Sequence, residues 1–140
     1  MIFEKLEIRS YCCEQIRRTK PYQAENLLLE FGVFKGTSIN FFAKQLPDHQ
    51  FVGFDSFEGL YEDFPGTSLP QGSFDQKGVA PAVRENVTLI VGDISETLPL
   101  FLEENSGRVI SFVHIDTDTY KPAHVILSCV KPRLIKGSII

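Results

Sequence analysis

Tryptophan is absent from this chain, methionine occurs once and cysteine only three times. Cysteines that few, two of them adjacent at Cys12 and Cys13, fit neither a disulfide framework nor the spacing of a zinc site, and they read as reduced structural thiols. No apolar run approaches the roughly 20 residues that would span a bilayer, so no membrane partner is expected. The opening Met1-Ile2-Phe3-Glu4-Lys5 lacks the basic-then-apolar order of a secretory leader, which points to the cytoplasm. A basic excess is missing as well: 14 Lys and Arg stand against 18 Asp and Glu, giving a net charge of -4. A chain of that charge has little to offer a phosphate backbone, and nucleic acid is not an expected partner. Repeats, low-complexity tracts and a second domain are not visible, so residues 1–140 are read as a single domain.

What the chain does have is a 43% hydrophobic composition with twelve Phe, enough for one bulky core. Its organising stretch is Leu27-Leu28-Leu29-Glu30-Phe31-Gly32-Val33-Phe34-Lys35-Gly36-Thr37-Ser38, an apolar run ending in a carboxylate, then a glycine loop, then polar residues that open an amphipathic segment. Glycine lets such a loop turn sharply and lets a ligand lie against the main chain. Thr37 and Ser38 are placed to cap the helix that follows. The glycines fall as Gly-x-x-x-Gly, which matches neither the dinucleotide fingerprint nor the Walker spacing and argues against an NAD-dependent enzyme.

Three more apolar runs, 50–55, 87–91 and 109–115, end at or beside an acid: Asp55, Asp93 and Asp116. Helical periodicity lies between them, at Ile39 to Leu46, at 95–102 and at 120–130, and a fifth strand opens at Lys136. An N-terminal helix, 2–18, is expected to lie against the sheet and to end before Pro21, with Arg17, Arg18 and Lys20 as a solvated basic face. Strands alternating with helices give an α/β fold, a Rossmann-like parallel sheet with helices on both faces. Residues 56–86 have no sustained period, and a loop of that length is read as a lid anchored by Phe57, Leu60, Tyr61 and Phe64.

Parallel strands put their carboxyl ends on one edge, so Glu30, Asp55, Asp93 and Asp116 should line one crevice. Clustered carboxylates repel a pyrophosphate, and in the loop only Lys35 offers a cation. They suit S-adenosylmethionine, which carries a ribose diol, an adenine amino group, an ammonium and a sulfonium but no phosphate. Asp55 lies about 20 residues beyond the loop, where a ribose-binding carboxylate falls in dinucleotide folds. Along the fourth strand His114, Asp116 and Asp118 share one parity if the chain stays extended. His114 is then either an assisting base or a hydrogen-bonded strand-end histidine, and Asp118 either supports Asp116 or caps the next helix. His49 and His124 read as surface or structural positions.

The blocks Glu30-Phe31-Gly32-Val33-Phe34-Lys35-Gly36-Thr37-Ser38, Asp55-Ser56-Phe57-Glu58-Gly59-Leu60 and His114-Ile115-Asp116-Thr117-Asp118-Thr119-Tyr120 resemble the macrocin O-methyltransferase family, class I S-adenosylmethionine-dependent methyltransferases. The resemblance runs from about Leu27 to Ile140. It implies methyl transfer to a hydroxyl of a sugar or other small molecule, assisted by magnesium. It also implies that Glu30, Gly32, Val33, Lys35, Gly36, Thr37 and Ser38 hold the methionine part of the cofactor, that Asp55, Ser56 and Phe57 hold ribose and adenine, and that Asp93 and Ile94 close over the adenine. Asp116 matches the family's first metal-binding aspartate. In the family the fifth strand runs on into an acidic pair and further strands follow, whereas this sequence ends at Ile140. The expectation is therefore a chain cut short within the fifth strand, with an open sheet edge that invites a homodimer. The alternative to an active methyltransferase is an inactive cofactor-binding or interaction domain.

Overall fold

Five short runs pair their backbones in one parallel sheet, the three inner ones with neighbours on both sides. The computed structural model describes residues 2–18, 25–60 and 62–140; Lys20, Pro21 and Tyr61 lie outside them. In chain order the elements are α1 (Ile2–Arg18), β1 (Leu27–Phe31), α2 (Thr37–Gln45), β2 (Phe51–Asp55), β3 (Val87–Val91), α3 (Ile94–Glu104), β4 (Ile110–Ile115), α4 (Tyr120–Val130), a 3-10 turn (Lys131–Arg133) and β5 (Leu134–Ile139). The strands lie in the order β3-β2-β1-β4-β5, and every pair is parallel. The order reverses between β1 and β4, so a crevice opens at the carboxyl ends of these two strands.

Side-chain parity divides the core into two layers. One holds Leu28, Phe51 and Phe112 under Ile39, Phe42 and Ala43 of α2 and Cys13 and Ile16 of α1. The other holds Leu27, Leu29, Phe31, Phe54 and Val113 under Leu98 and Leu102 of α3 and Ile126 and Val130 of α4. Helices therefore cover both faces, as the alternating pattern predicts. Phe42 is the hub of the first layer, its ring 5.0 Å from that of Phe112 and 6.2 Å from that of Phe51. In the second layer Phe31 stacks on Phe54 at 4.9 Å. A fully buried ring of this kind contributes about 1.5–3 kcal/mol by area alone.

Two elements differ from the sequence reading. Of α1, Cys13 and Ile16 are buried, while Leu6, Ile8 and Tyr11 are 42–64% exposed. Its last turns rest on the core and its first turns reach over the mouth of the crevice. The fifth strand begins at Leu134, two residues before the expected Lys136, because Pro132 closes α4 in a 3-10 turn that feeds straight into it. This strand is bulged, since Ile110 pairs with Leu134 but Phe112 pairs with Ile139. Ser138 Oγ stands in for the missing ladder bonds, accepting from Ile135 N–H at 2.9 Å and donating to Ile110 C=O at 2.7 Å. Among the described residues no helix is long and apolar enough to cross a membrane.

The described residues of the 56–86 segment form neither helix nor strand, and the segment is fastened at both ends. Leu60 N–H donates to Ser73 C=O at 2.9 Å, and the N–H groups of Gln76 and Gly78 both donate to Phe57 C=O. At the far end the Asn40 side chain of α2 accepts from Arg84 N–H at 2.9 Å and donates to Ala82 C=O at 3.2 Å. Of the apolar anchors expected in this segment, Phe57 and Leu60 are buried and Phe64 is partly buried.

Candidate functional site

Where β1 turns into α2, Gly32 holds φ 85°, a region that suits glycine. A Cβ at this position would lie 2.1 Å from the carbonyl oxygen of Asp116. The bare Cα therefore lets the first loop press against the end of β4, and Asp116 N–H donates to Phe31 C=O at 2.8 Å. The N-cap of α2 is Gly36, in a left-handed conformation and without a side-chain cap bond. Thr37 and Ser38, expected as caps, are already inside the helix; Ser38 Oγ donates to Glu30 Oε1 at 2.9 Å instead. The first turn of α2 thus presents its N–H end to the crevice without a capping side chain over it.

The acids separate into two sets. Asp55, the last residue of β2, accepts from Phe34 N–H at 2.8 Å on one oxygen and from Phe57 N–H at 2.8 Å on the other. A carboxylate oxygen has a second lone pair, so Asp55 keeps acceptor capacity towards the cavity it lines. Asp116 lines the same cavity from the end of β4. Glu30 and Asp93 do not line it, which corrects the expectation of four acids around one crevice. Glu30 is the penultimate residue of β1, so parity turns it under α2, where it is 0% exposed and held by Ser38 and by His114 Nδ1 at 2.9 Å. Asp93 follows the turn at Gly92 and caps α3, accepting from Ser95 N–H at 2.7 Å.

His114 pairs in register with Glu30 on the neighbouring strand, and its ring meets Phe42 edge-on at 5.5 Å. It is a hydrogen-bonded strand-end histidine and is not part of the cavity wall. Asp118 reaches the wall by another route than the extended parity predicted, because β4 ends at Ile115 and Asp118 turns with φ 62°. Thr119, not Asp118, is the N-cap of α4. Burial pushes the Asp118 carboxyl above its ordinary value; the Asp116 charge adds to the rise and the Lys5 ammonium opposes it.

The cavity has a volume of about 320 Å³. Of the residues proposed from sequence, Gly32, Val33, Lys35, Thr37, Ser38, Asp55, Ser56, Phe57, Ile94 and Asp116 line it; Glu30, Gly36, Asp93 and His114 do not. Gly36 instead sits against Pro81 and Asn40, its virtual Cβ 3.2 Å from Asn40 Nδ2. The residue-by-residue reading missed Lys5 and Arg9 of α1, and Phe74 and Gln76 of the 56–86 segment. Their only signal in the sequence was general: four-residue spacing on a helix for the cations, membership of a long loop for the others. Phe74 packs edge-on against Phe34 at 5.5 Å and so ties that segment to the glycine loop.

The parts fit an adenosyl cofactor: a close-approach glycine, an uncapped helix N-terminus and a strand-end carboxylate with spare lone pairs at one wall. They do not make a complete magnesium site. Among the described residues no group of three or more His, Cys, Asp or Glu side chains converges as metal donors, and Asp116 has Asp118 for company with Lys5 opposite.

Residues 29–140 match the family model described as a methyltransferase domain, and the chain belongs to that family. Among solved structures it is similar to the calicheamicin methyltransferase CalS11, with 26% identity and a TM-score of 0.78 over 97% of this chain and 62% of that one. It is similar also to the apo structure of CalS11, described as a TDP-rhamnose 3'-O-methyltransferase of calicheamicin biosynthesis, with 27% identity and a TM-score of 0.69 over 97% and 61% of the two chains. This chain thus spans about three-fifths of the length of those two solved chains. No curated protein matches it.

Proposed function

We propose that this chain is an S-adenosylmethionine-dependent O-methyltransferase acting on a hydroxyl of a sugar or similar small molecule. The observation that carries the reading is Asp55, fixed by two backbone N–H groups at the end of β2 and facing a cavity that the Gly32 loop and the N-terminus of α2 also line. The methyltransferase family match and the sugar-methylating neighbour CalS11 support it.

S-adenosylmethionine, when bound, supplies an electrophilic methyl group. Asp55 accepts hydrogen bonds from the ribose diol, with Phe57 and Ile94 as apolar walls for the adenine. The N–H groups of Thr37 and Ser38 meet the methionine carboxylate at the positive end of the α2 dipole. On the other side of the cavity, Asp116 and Asp118 accept from the acceptor's hydroxyl and turn its oxygen towards the methyl carbon. The cofactor would supply its methyl group to that oxygen, with S-adenosylhomocysteine as the leaving group, and a carboxylate would take up the hydroxyl proton. Asp118 is suited to take that proton, since burial raises its pKa towards working pH. Most of the acceleration comes from holding two reactants in line. The role that the resemblance gives to magnesium and to Asp116 as its ligand has no complete donor set here, and no step depends on it.

Calorimetric titration with S-adenosylhomocysteine tests the reading. Micromolar binding is expected, and Asp55→Ala should weaken it about tenfold or more, the loss of one or two charge-assisted bonds of roughly 1.5–3 kcal/mol each. Unchanged affinity in that variant would remove Asp55 from the site. Cofactor binding without methyl transfer to any of a panel of glycosides would leave the chain as a binding domain alone.

A further inference from the structure

Asp55 begins a chain of contacts that closes on itself. Its two oxygens hold Phe34 N–H and Phe57 N–H, each at 2.8 Å. Phe57 C=O in turn accepts from Gln76 N–H at 2.9 Å and from Gly78 N–H at 3.0 Å. Two residues before Gln76, the Phe74 ring returns to Phe34 and meets it edge-on at 5.5 Å. Phe34, Asp55, Phe57, Phe74 and Gln76 all line the cavity. The links of this circuit are unequal: amides bonded to a carboxylate and to a main-chain carbonyl make most of it, and one contact between two rings closes it. Residues 72–78 are also braced on 57–60, since Leu60 N–H donates to Ser73 C=O and Gly72 N–H to Leu60 C=O, both at 2.9 Å. The two stretches thus make one body, and Phe74 is its tip. Phe34 is held in place by Asp55 and by the Lys35 ammonium 5.2 Å over its ring, whereas Phe74 is 43% exposed. All three phenylalanines of the circuit, Phe34, Phe57 and Phe74, take left-handed angles, φ 50°, 58° and 69°. Bulky residues rarely adopt that region, and it persists where the surroundings impose it.

We infer that the Phe34–Phe74 contact is a gate for the adenosyl cofactor: the body made of 57–60 and 72–78 parts from the glycine loop at this contact to admit or release the ligand held on Asp55, and closes again behind it. The inference rests on the methyltransferase reading of the cavity and adds a route of exchange to it. The circuit opens where opening costs least. Breaking it at Asp55 strips a carboxylate of its amides, and breaking it at Phe57 C=O leaves main-chain groups unpaired, whereas parting the rings exposes only apolar edges. The remaining ties of the segment oppose this little. Glu62 and Lys121 pair at 3.2 Å on the surface, with the Lys121 side chain 77% exposed. The bonds of Asn40 to Ala82 and Arg84 lie beyond Gly78, outside the moving body. A gate that closes equally on the empty and the loaded cavity sets the rates of entry and exit together and leaves the affinity unchanged.

The test is the kinetics of S-adenosylhomocysteine binding to the whole chain, followed by stopped flow. Phe74→Asn removes the ring and puts in its place a residue that tolerates the left-handed region. It should raise the association and dissociation rate constants together, each about three- to tenfold, and leave the dissociation constant within about twofold. Phe74→Tyr, which keeps the ring, should retain the native rates. Circular dichroism checks that the variants fold; should Phe74→Asn unfold, Phe74→Leu, apolar but without a ring, is read in its place against the same expectation. Unchanged rates in the ring-less variant would overturn the inference. So would faster dissociation alone with a matching loss of affinity, which would make Phe74 a contact of the ligand and not a gate. Failure of the folded wild-type chain to bind S-adenosylhomocysteine would instead defeat the methyltransferase reading itself.

Discussion

Asp118 combines an unusual backbone angle, φ 62°, with a carboxyl whose pKa lies above the ordinary 3.8. Aspartate and asparagine both tolerate the left-handed region, so Asp118→Asn changes the charge and leaves the turn in place. In the folded chain the proton is held more tightly than in the unfolded chain. The ionised group therefore opposes folding, an opposition that sets in as the pH rises through 3.8 and is complete above the raised folded value. Asp118→Asn should melt at a higher temperature than the native chain at neutral pH, with the gap closing as the pH falls towards 3.8. A gap that stays constant across that range would show that the charge is not its source. If Asp118 is also the proton acceptor, the same variant loses methyl transfer while gaining stability, the usual opposition between a functional site and the fold that carries it. Residues such as Asp55 and Gly32 were legible in the sequence because their spacing is local. Glu30 and Asp93 were not, because a one-residue step in a strand, or one turn at Gly92, decides which way a carboxylate faces.

At the scale of elements, one connection between the end of the 56–86 segment and α2 went unread. Asn86, 5% exposed, points its side-chain N–H groups at the carbonyls of Ala43, Leu46 and His49, at 3.1, 3.3 and 2.9 Å. Carbonyls at the end of a helix need such partners. Asn86 therefore closes the last turn of α2 and fixes where the 56–86 segment gives way to β3. Asn86→Ala should cost about 1–3 kcal/mol in denaturant unfolding. Asn86→Asp, equal in size but without the N–H donors, should lose at least as much; retention of stability in the aspartate variant would disprove the capping role. Nothing in the local sequence marks this residue, since its partners lie some forty positions earlier. The helices and strands themselves were legible to within a few residues because their apolar periods are strong. The course of α1 was not, since Leu6 shares a helical face with Cys13 and Ile16 and yet is exposed.

For the molecule as a whole, the alternation of strands and helices announced a parallel sheet, but the strand order emerges only from pairing. That order sets β1 beside β4 and so brings residues 32–38 and 116–118 to one opening. The closeness of Gly32 to the Asp116 carbonyl makes the glycine loop and the end of β4 neighbours through main chain alone. At Asp55 a single carboxylate fastens amides 23 residues apart in sequence, those of Phe34 and Phe57. Release of this one group frees both segments, so their protection against deuterium should rise and fall as a unit. Addition of S-adenosylhomocysteine should slow exchange at Phe34 and Phe57 by matching factors, and Asp55→Ala should speed both. Independent rates would mean that the two segments open separately. Matched rates would mean that occupancy of the site is registered at the same instant in the glycine loop and in the segment that follows β2, without any change of fold between them.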